Sequence, residues 1–140
     1  MKDAIISIKS TRRFEGEDDC TELITEGGYL LTEGGCELTY AETDATGYEG
    51  STTSVSVATG KSLEIVRSGK YSSELIIETQ RKNYSCYGTP FGDLIVGAAA
   101  KKIEAKLNEN GGRIVAEYSM DINSQDMGDY SMEIVIKTEN

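Results

Sequence analysis

Arg67 is the residue of this chain whose position most directly suggests chemistry. It follows Leu63 and Ile65 at alternate positions of one short segment. Because side chains of a β-strand alternate between two faces, a strand here would turn the guanidinium group toward the side of the two apolar residues. A buried arginine needs a charged or hydrogen-bonding partner. The spacing therefore predicts an internal ion pair, a contact with turn carbonyls, or an anchor for a ligand carboxylate or phosphate.

Tyrosines form a second set of candidates. The chain has eight tyrosines, two phenylalanines and no tryptophan. A tyrosine joins an apolar ring to a polar hydroxyl, so the set suits either a packed core with hydroxyls at its rim or the lining of a ligand cavity. The candidate ligand-binding residues, placed near the mouth of a predicted barrel, are Arg67, Tyr40, Glu42, Tyr48, Tyr87 and Thr89.

The chain contains no histidine, and this removes most hydrolase mechanisms. Ser-His-Asp and Cys-His nucleophile pairs cannot be built, and the commonest ligand of transition metals is missing. An enzyme would have to use carboxylates, tyrosine, or a serine and lysine such as Ser68 and Lys70. We therefore assign no catalytic residue and rank an enzyme third among the hypotheses.

Two short motifs resemble binding loops but lack residues that those loops need. Gly60-Lys61-Ser62 matches the end of a phosphate-binding loop, yet Val55 stands where the loop needs its first glycine. The segment 121–133 resembles a calcium loop, but Asp126 occupies the position of the obligatory glycine. The sequence thus predicts neither a metal nor a cofactor.

The charge balance and the cysteines limit the partners and the compartment. The chain has 24 acidic and 14 basic residues and a net charge of -10, which would repel a nucleic acid backbone. Its three cysteines are an odd number without a C-x-x-C motif, which is typical of reduced thiols. The N-terminus shows no signal-peptide core, and the longest apolar stretch is far shorter than the ~20 residues of a membrane span. We expect a cytoplasmic protein that binds neither nucleic acid nor membrane.

Hydrophobic residues recur with a period of two along much of the chain. Ile114, Ala116, Tyr118, Met120 and Ile122 alternate with more polar residues, as do the residues from position 130 to 136. These two segments predict a hairpin across the turn-rich residues 123–128. Residues 98–107 are good helix formers, but their apolar residues also alternate. We therefore predict a strand over 93–107, with a helical turn near 98–101 as the alternative.

The remaining segments also favour short strands joined by turns. Two of them, 20–25 and 29–32, are separated by Gly27-Gly28, which we interpret as a gap between strands. No linker, repeat or composition shift divides the chain, so residues 1–140 are predicted to form a single domain. The prediction is an all-β fold, an antiparallel meander of eight to ten strands closed into a barrel, with a sandwich as second choice.

Several strings resemble a known family in their order and spacing. They are Thr46–Thr53, Ile65–Gly69 with Ser72-Ser73, Thr89-Pro90-Phe91-Gly92, Asn110-Gly111-Gly112, and Asp121-Ile122-Asn123. Together they resemble the YwiB-like family, a bacterial domain of unknown function. The resemblance spans nearly the whole chain and implies a calycin-like, that is lipocalin-like, β-barrel. It implies no activity, because the family has no established one.

Two hypotheses for function follow from these observations. The first is a non-catalytic cytosolic barrel that binds a small, partly apolar or anionic molecule in its interior. The second is a structural or interaction protein with a filled barrel, which acts through its surface or through a homodimer contact. The size and lining of any cavity inside the barrel would distinguish them.

Overall fold

Ten strands account for most of the residues that the structure describes. The computed structural model describes residues 1–44, 46–89 and 92–139, and of residues 87–89 it describes the backbone alone. The strands are β1 (Lys2–Phe14), β2 (Glu17–Thr32), β3 (Gly35–Ala41), β4 (Ser51–Ala58), β5 (Ser62–Gly69), β6 (Ser73–Glu78), β7 (Asn83–Thr89), β8 (Gly92–Asn108), β9 (Gly111–Ile122) and β10 (Gln125–Thr138).

The strands form a closed antiparallel meander, which confirms the predicted barrel. Each strand pairs with the next along the chain, and β1 pairs with β10 to complete the circle. Ile6, for example, lies opposite Ile136 on β10 and opposite Thr25 on β2. The seam between β6 and β7 is the sparsest, with Ser73 and Tyr87 as its ladder pair. In the described residues no helix is long and apolar enough to cross a membrane.

Strand β8 settles the one segment for which helix and strand competed. Residues 98–101 lie within it, so the alternation of Ile103, Ala105 and Leu107 predicted their structure better than helix propensity did. The pairing of β8 with β9 shifts between Ala100 and Lys102, which is a β-bulge. The helix propensity of this segment was overridden because a strand here continues the sheet and buries its own apolar face.

Gly27-Gly28 is not a gap, contrary to the prediction. Both glycines lie inside β2, a single strand of 16 residues. A Cβ atom at Gly27 would run into the backbone carbonyl of Thr39 on β3 and the side chain of Ile6 on β1. Glycine is needed at this position because neighbouring groups approach its backbone closely, and not because the chain turns.

The turn between β9 and β10 is shorter than the predicted 123–128. It consists of Asn123 and Ser124, whose φ angles are 50° and 70°, as a type I′ hairpin turn requires. Strand β10 resumes at Gln125, and Gly128 lies at a bulge in the pairing with β9. The polar residues from Gln125 onward, which resembled a longer turn, therefore belong to the beginning of β10.

The inward side chains pack tightly in one half of the barrel. We call this the lower half; the turns at 33–34, 59–61, 79–82 and 109–110 close it. Its core is apolar and consists of Ala4, Ile6, Tyr29, Cys36, Leu38, Val57, Leu63, Ile77, Ile103, Ile114, Ala116, Ile134 and Ile136. The hydroxyl of Tyr29 donates a hydrogen bond to the carbonyl of Asn108 at 2.8 Å, so its polar atom is satisfied at the lower end.

Candidate functional site

The upper half of the barrel contains a cavity of about 620 Å³. It lies above the packed core and extends toward the turns at 15–16, 42–50, 70–72 and 123–124. Its apolar lining comes from most strands and includes Ile8, Leu23, Val55, Ile65, Leu75, Leu94, Val96, Met120, Ile122, Met132 and Ile134. The interior of a barrel widens with strand number, and about eight strands already suffice to hold a small ligand. Ten strands therefore leave space that these side chains do not fill.

Register brings the polar residues of the cavity wall together. Strand β4 lies between β3 and β5, and Thr53 on β4 is opposite both Tyr40 on β3 and Arg67 on β5. Directly opposed residues in antiparallel strands point to the same face. The three side chains therefore form one row on the inner wall, and Glu42, just past the end of β3, comes close to this row.

Glu42 and Arg67 form an ion pair on the cavity wall. Their closest atoms, Oε1 of Glu42 and Nη2 of Arg67, are 3.8 Å apart, and the two side chains are only 3% and 10% exposed. Both residues line the cavity. The internal ion pair predicted for Arg67 is thus present, and it faces the cavity.

Two hydroxyl groups hold the carboxylate of Glu42 in place. Thr53 donates a hydrogen bond to Oε1 at 2.6 Å. Thr46, in the turn after β3, donates to Oε2 at 2.8 Å. Hydrogen bonds to an ionised carboxylate are stronger than those between neutral groups, and both oxygens receive one here. The negative charge therefore occupies a defined position on the wall.

The guanidinium group of Arg67 is covered on one face by an aromatic ring. Its central carbon lies 3.6 Å from the ring centroid of Tyr48, a cation–π contact. Tyr71 packs edge-on against Tyr48, with 5.7 Å between the ring centroids. The other terminal nitrogen of the guanidinium group, Nη1, donates a hydrogen bond to the hydroxyl of Ser73 at 3.4 Å. Tyr48, which lies between β3 and β4 in the chain, thus belongs to the wall of the cavity.

The structure brings four of the six predicted site residues together. Arg67, Glu42, Tyr40 and Tyr48 line the same cavity. Tyr87 and Thr89 have their backbone in β7, but their side chains lie outside the described part, as do Pro90 and Phe91. The assignment of all six residues to ligand binding stays a prediction.

Sequence reasoning missed the hydroxyl residues of the site. Thr46, Thr53 and Ser73 contact the two charged side chains, yet nothing in their local sequence marks them. Thr53 does alternate with Val55 and Val57, which signals an inward position. That Thr53 bonds to Glu42 could be identified only from the register of β4 with β3 and β5.

A pair of stacked tyrosines lies on the side of the barrel formed by β9 and β10. The rings of Tyr118 and Tyr130 are 5.3 Å apart and nearly parallel, and Tyr118 also lines the cavity. Burial raises the pKa of the Tyr130 hydroxyl, and the nearby positive charge of Arg12 partly opposes that rise. Of this pair, Tyr118 adds to the aromatic part of the cavity lining.

Other groups with possible chemistry lie away from the cavity. Ser68 and Lys70, the serine and lysine considered for an enzyme, are exposed and do not line it. Cys20 and Cys86 are free thiols at the surface, and Cys36 is a free thiol in the core. Burial raises the pKa of Cys36 to about 11. Among the described residues no cluster of three or more acidic, cysteine or histidine side chains could hold a metal.

Comparisons with known proteins identify a family and a related fold. A family model with the description "Domain of unknown function (DUF1934)" matches residues 6–134. The chain is similar to the crystal structure of the YwiB protein from Bacillus subtilis, with a TM-score of 0.81 and 23% sequence identity over 99% of this chain and 93% of that one. No curated protein matches. The comparison confirms the resemblance to the YwiB-like family and, at this identity, shows a shared fold.

Proposed function

The chain belongs to the family described as a domain of unknown function (DUF1934), and on that premise we propose that it is a non-catalytic binding protein. The barrel holds a small, partly apolar molecule in the upper cavity. The apolar part of the ligand lies against the floor of the cavity, and its polar group faces Arg67. The candidate contacts are Arg67, Tyr40, Glu42, Tyr48, Tyr87 and Thr89.

The observation that carries this proposal is the cavity itself. Its volume of about 620 Å³ lies within the range of ligand pockets, which hold roughly 300–1,000 Å³. The lining is mostly apolar. Its few polar groups come from β1 and β2, with Ser10, Thr21 and Glu22, and from the wall around Arg67, and a mostly apolar lining with a few polar groups is the usual composition of such pockets. Each methylene group that moves from water onto this lining contributes about 0.8 kcal/mol.

The buried ion pair supports the same interpretation. Removing two charges from water is expensive, and an apolar pair of similar volume is often as stable or more stable. Glu42 and Arg67 nevertheless lie at the wall of a cavity, where their polar atoms can contact a guest molecule. A filled barrel that acts through its surface or through a homodimer would not need them there, so the cavity favours binding over that alternative.

Binding can be tested with N-phenyl-1-naphthylamine, an uncharged probe that fluoresces in apolar surroundings. We expect saturable fluorescence with the wild-type protein. Val55→Phe adds bulk inside the cavity, where Val55 is 2% exposed, and should abolish the signal. Ser54→Phe introduces the same phenylalanine side chain on the opposite, exposed face of β4 and should leave the fluorescence signal unchanged. Native mass spectrometry of freshly purified protein would detect a retained natural ligand.

The controls separate loss of the cavity from loss of the fold. Thermal unfolding of both variants shows whether each remains folded at the temperature of the titration. A folded Val55→Phe variant that still binds the probe would contradict the proposal, and so would a wild-type protein that gives no saturable signal.

We also propose that the protein works in the cytosol. Its exposed thiols, Cys20 and Cys86, are free, and exposed free thiols are typical of reducing compartments. Cell fractionation followed by immunoblotting tests this proposal, and recovery of the protein outside the cytosolic fraction would contradict it. Formation of a homodimer stays a prediction, which light scattering of the purified protein measures directly.

A further inference from the structure

We propose that the head group of the bound molecule is uncharged and carries a hydrogen-bond acceptor beside a donor, as a primary carboxamide does. The acceptor faces Arg67 and the donor faces Glu42. This inference rests on the proposed binding function and names the chemical class of the ligand. It sets the site apart from one that selects a carboxylate or phosphate, which Arg67 by itself would favour.

The first argument is the charge of the wall. A carboxylate bound to Arg67 would come close to the carboxylate of Glu42, whose Oε1 is 3.8 Å from Nη2 of Arg67. The two negative charges would repel each other inside a largely apolar cavity, where water screens them poorly. The protein as a whole carries a net charge of -10 and adds to this repulsion. A ligand cation would meet the same obstacle from Arg67.

The second argument is that Glu42 cannot readily move away. Thr53 and Thr46 each donate a hydrogen bond to one of its oxygens, at 2.6 and 2.8 Å. Swinging the carboxylate aside would break both bonds and take from the buried hydroxyl of Thr53 its hydrogen bond to Glu42. An anionic ligand therefore meets a fixed negative charge beside Arg67.

The third argument is geometric. The oxygen and nitrogen of a primary amide are about 2.3 Å apart, as follows from standard bond lengths. Hydrogen bonds of about 2.9 Å from these two atoms can reach two protein atoms separated by 3.8 Å. The ring of Tyr48 covers one face of the guanidinium group, so the head group approaches an edge, where the N–H bonds point. The amide oxygen then accepts from Arg67, and the amide nitrogen donates to Glu42.

A matched series of ligands tests the inference. Decanamide, decanoate and nonylamine each carry a nine-carbon alkyl chain and differ in the charge of the head group, and each is titrated against protein loaded with N-phenyl-1-naphthylamine. Because the apolar contribution is equal across the series, the head group decides the ranking. We expect decanamide to displace the probe at concentrations roughly tenfold lower than the other two.

Two variants invert the charge preference. Glu42→Gln leaves Arg67 without its counter-charge, so decanoate should gain at least tenfold relative to decanamide. Arg67→Gln leaves the negative charge of Glu42 in place, so nonylamine should gain instead. The matched control is Glu37→Gln, which removes the same charge from an exposed position on β3. It should not change the ranking.

The outcomes distinguish this inference from the binding function on which it rests. A wild-type protein that prefers decanoate or nonylamine overturns the inference while the binding function stands. The same holds if folded Glu42→Gln protein keeps the wild-type ranking. If one variant does not fold, the wild-type ranking and the other variant still decide the question. If the probe itself does not bind, the binding function fails first, and the inference fails with it.

Discussion

The guanidinium carbon of Arg67 lies 3.6 Å from the ring centroid of Tyr48. This contact joins the inner wall of the barrel to the turn at 42–50, because Arg67 belongs to β5 and Tyr48 belongs to the turn. Glu42, at the start of the same turn, pairs with Arg67 from the side. The buried guanidinium group of Arg67 therefore contacts both Glu42 and Tyr48. These contacts position the two side chains on the cavity wall.

Loss of the Tyr48 ring should destabilise the protein. Tyr48→Leu removes a cation–π contact worth about 0.5–2 kcal/mol and the edge-on packing against Tyr71. We expect the free energy of unfolding in urea to fall by roughly 1–2 kcal/mol. Tyr48→Phe keeps the ring and should stay close to wild type. Equal losses in both variants would mean that the hydroxyl, and not the ring, makes the contribution.

Loss of the Thr53 hydroxyl should weaken the anchor of Glu42. Thr53 is 1% exposed, and Thr53→Val leaves one oxygen of a buried carboxylate without its short hydrogen bond. We expect a loss of about 1–3 kcal/mol in the free energy of unfolding. Thr52→Val makes the same change on the exposed face of β4 and should alter stability by less than about 0.5 kcal/mol. Similar values for the two variants would show that the buried bond contributes nothing.

Cys36 should make stability fall at alkaline pH. Burial raises the pKa of its thiol from 9.0 to about 11, so the unfolded chain releases this proton at a lower pH than the folded protein does. The contribution is fully present below about pH 9 and declines as the pH rises through 11, by up to about 2–3 kcal/mol.

A variant separates this thiol from the tyrosines that titrate in the same range. Cys36→Ala removes the ionisation, so its urea midpoint should fall less than that of wild type between about pH 8 and pH 10.5. Tyr130, whose pKa is also raised by burial, contributes equally to both proteins and cancels in the difference. The pKa of Tyr29 is raised by burial and, in smaller part, by Cys36, so that smaller part disappears together with the thiol. Parallel pH profiles would exclude Cys36 as the source.

Gly27→Ala should destabilise the barrel through a steric clash. The added methyl group would collide with the carbonyl of Thr39 and push β2 away from β3, at a cost of about 1–3 kcal/mol. Gly16→Ala is the control, because Gly16 has a positive φ of 80° and no atom within 4 Å of the added carbon. It tests backbone strain alone and should cost about 1 kcal/mol. Thermal unfolding compares the two, and an undiminished midpoint for Gly27→Ala would contradict the close approach.

Several features of the fold could be read from local patterns. The alternation of apolar residues over 114–122 and 130–136 predicted two paired strands, and both are present as β9 and β10. The same alternation placed Arg67 on the face of Leu63 and Ile65, and all three face inward. A period of two survives any tertiary context that buries one face of a sheet, which explains why these predictions held.

Other features were misread because local sequence does not record what lies across the sheet. Gly27-Gly28 has the composition of a turn, but the close approach of β3 explains Gly27. Gln125 and Asp126 also resemble part of a loop, yet they pair with β9. In both cases contacts with a neighbouring strand overrode the local signal.

The sequence by itself determined that the chain forms alternating strands and which side chains face inward, because both properties follow from the period of a strand. It favoured a barrel over a sandwich, and the pairing of β1 with β10 decided for the barrel. It also marked Arg67 and Glu42 as members of one candidate set. Only the tertiary structure decided that the two are partners and that a cavity lies beside them. Their contact depends on the register of β3, β4 and β5, and the cavity depends on ten strands closing to a particular width. Both are properties of pairings between segments distant in sequence.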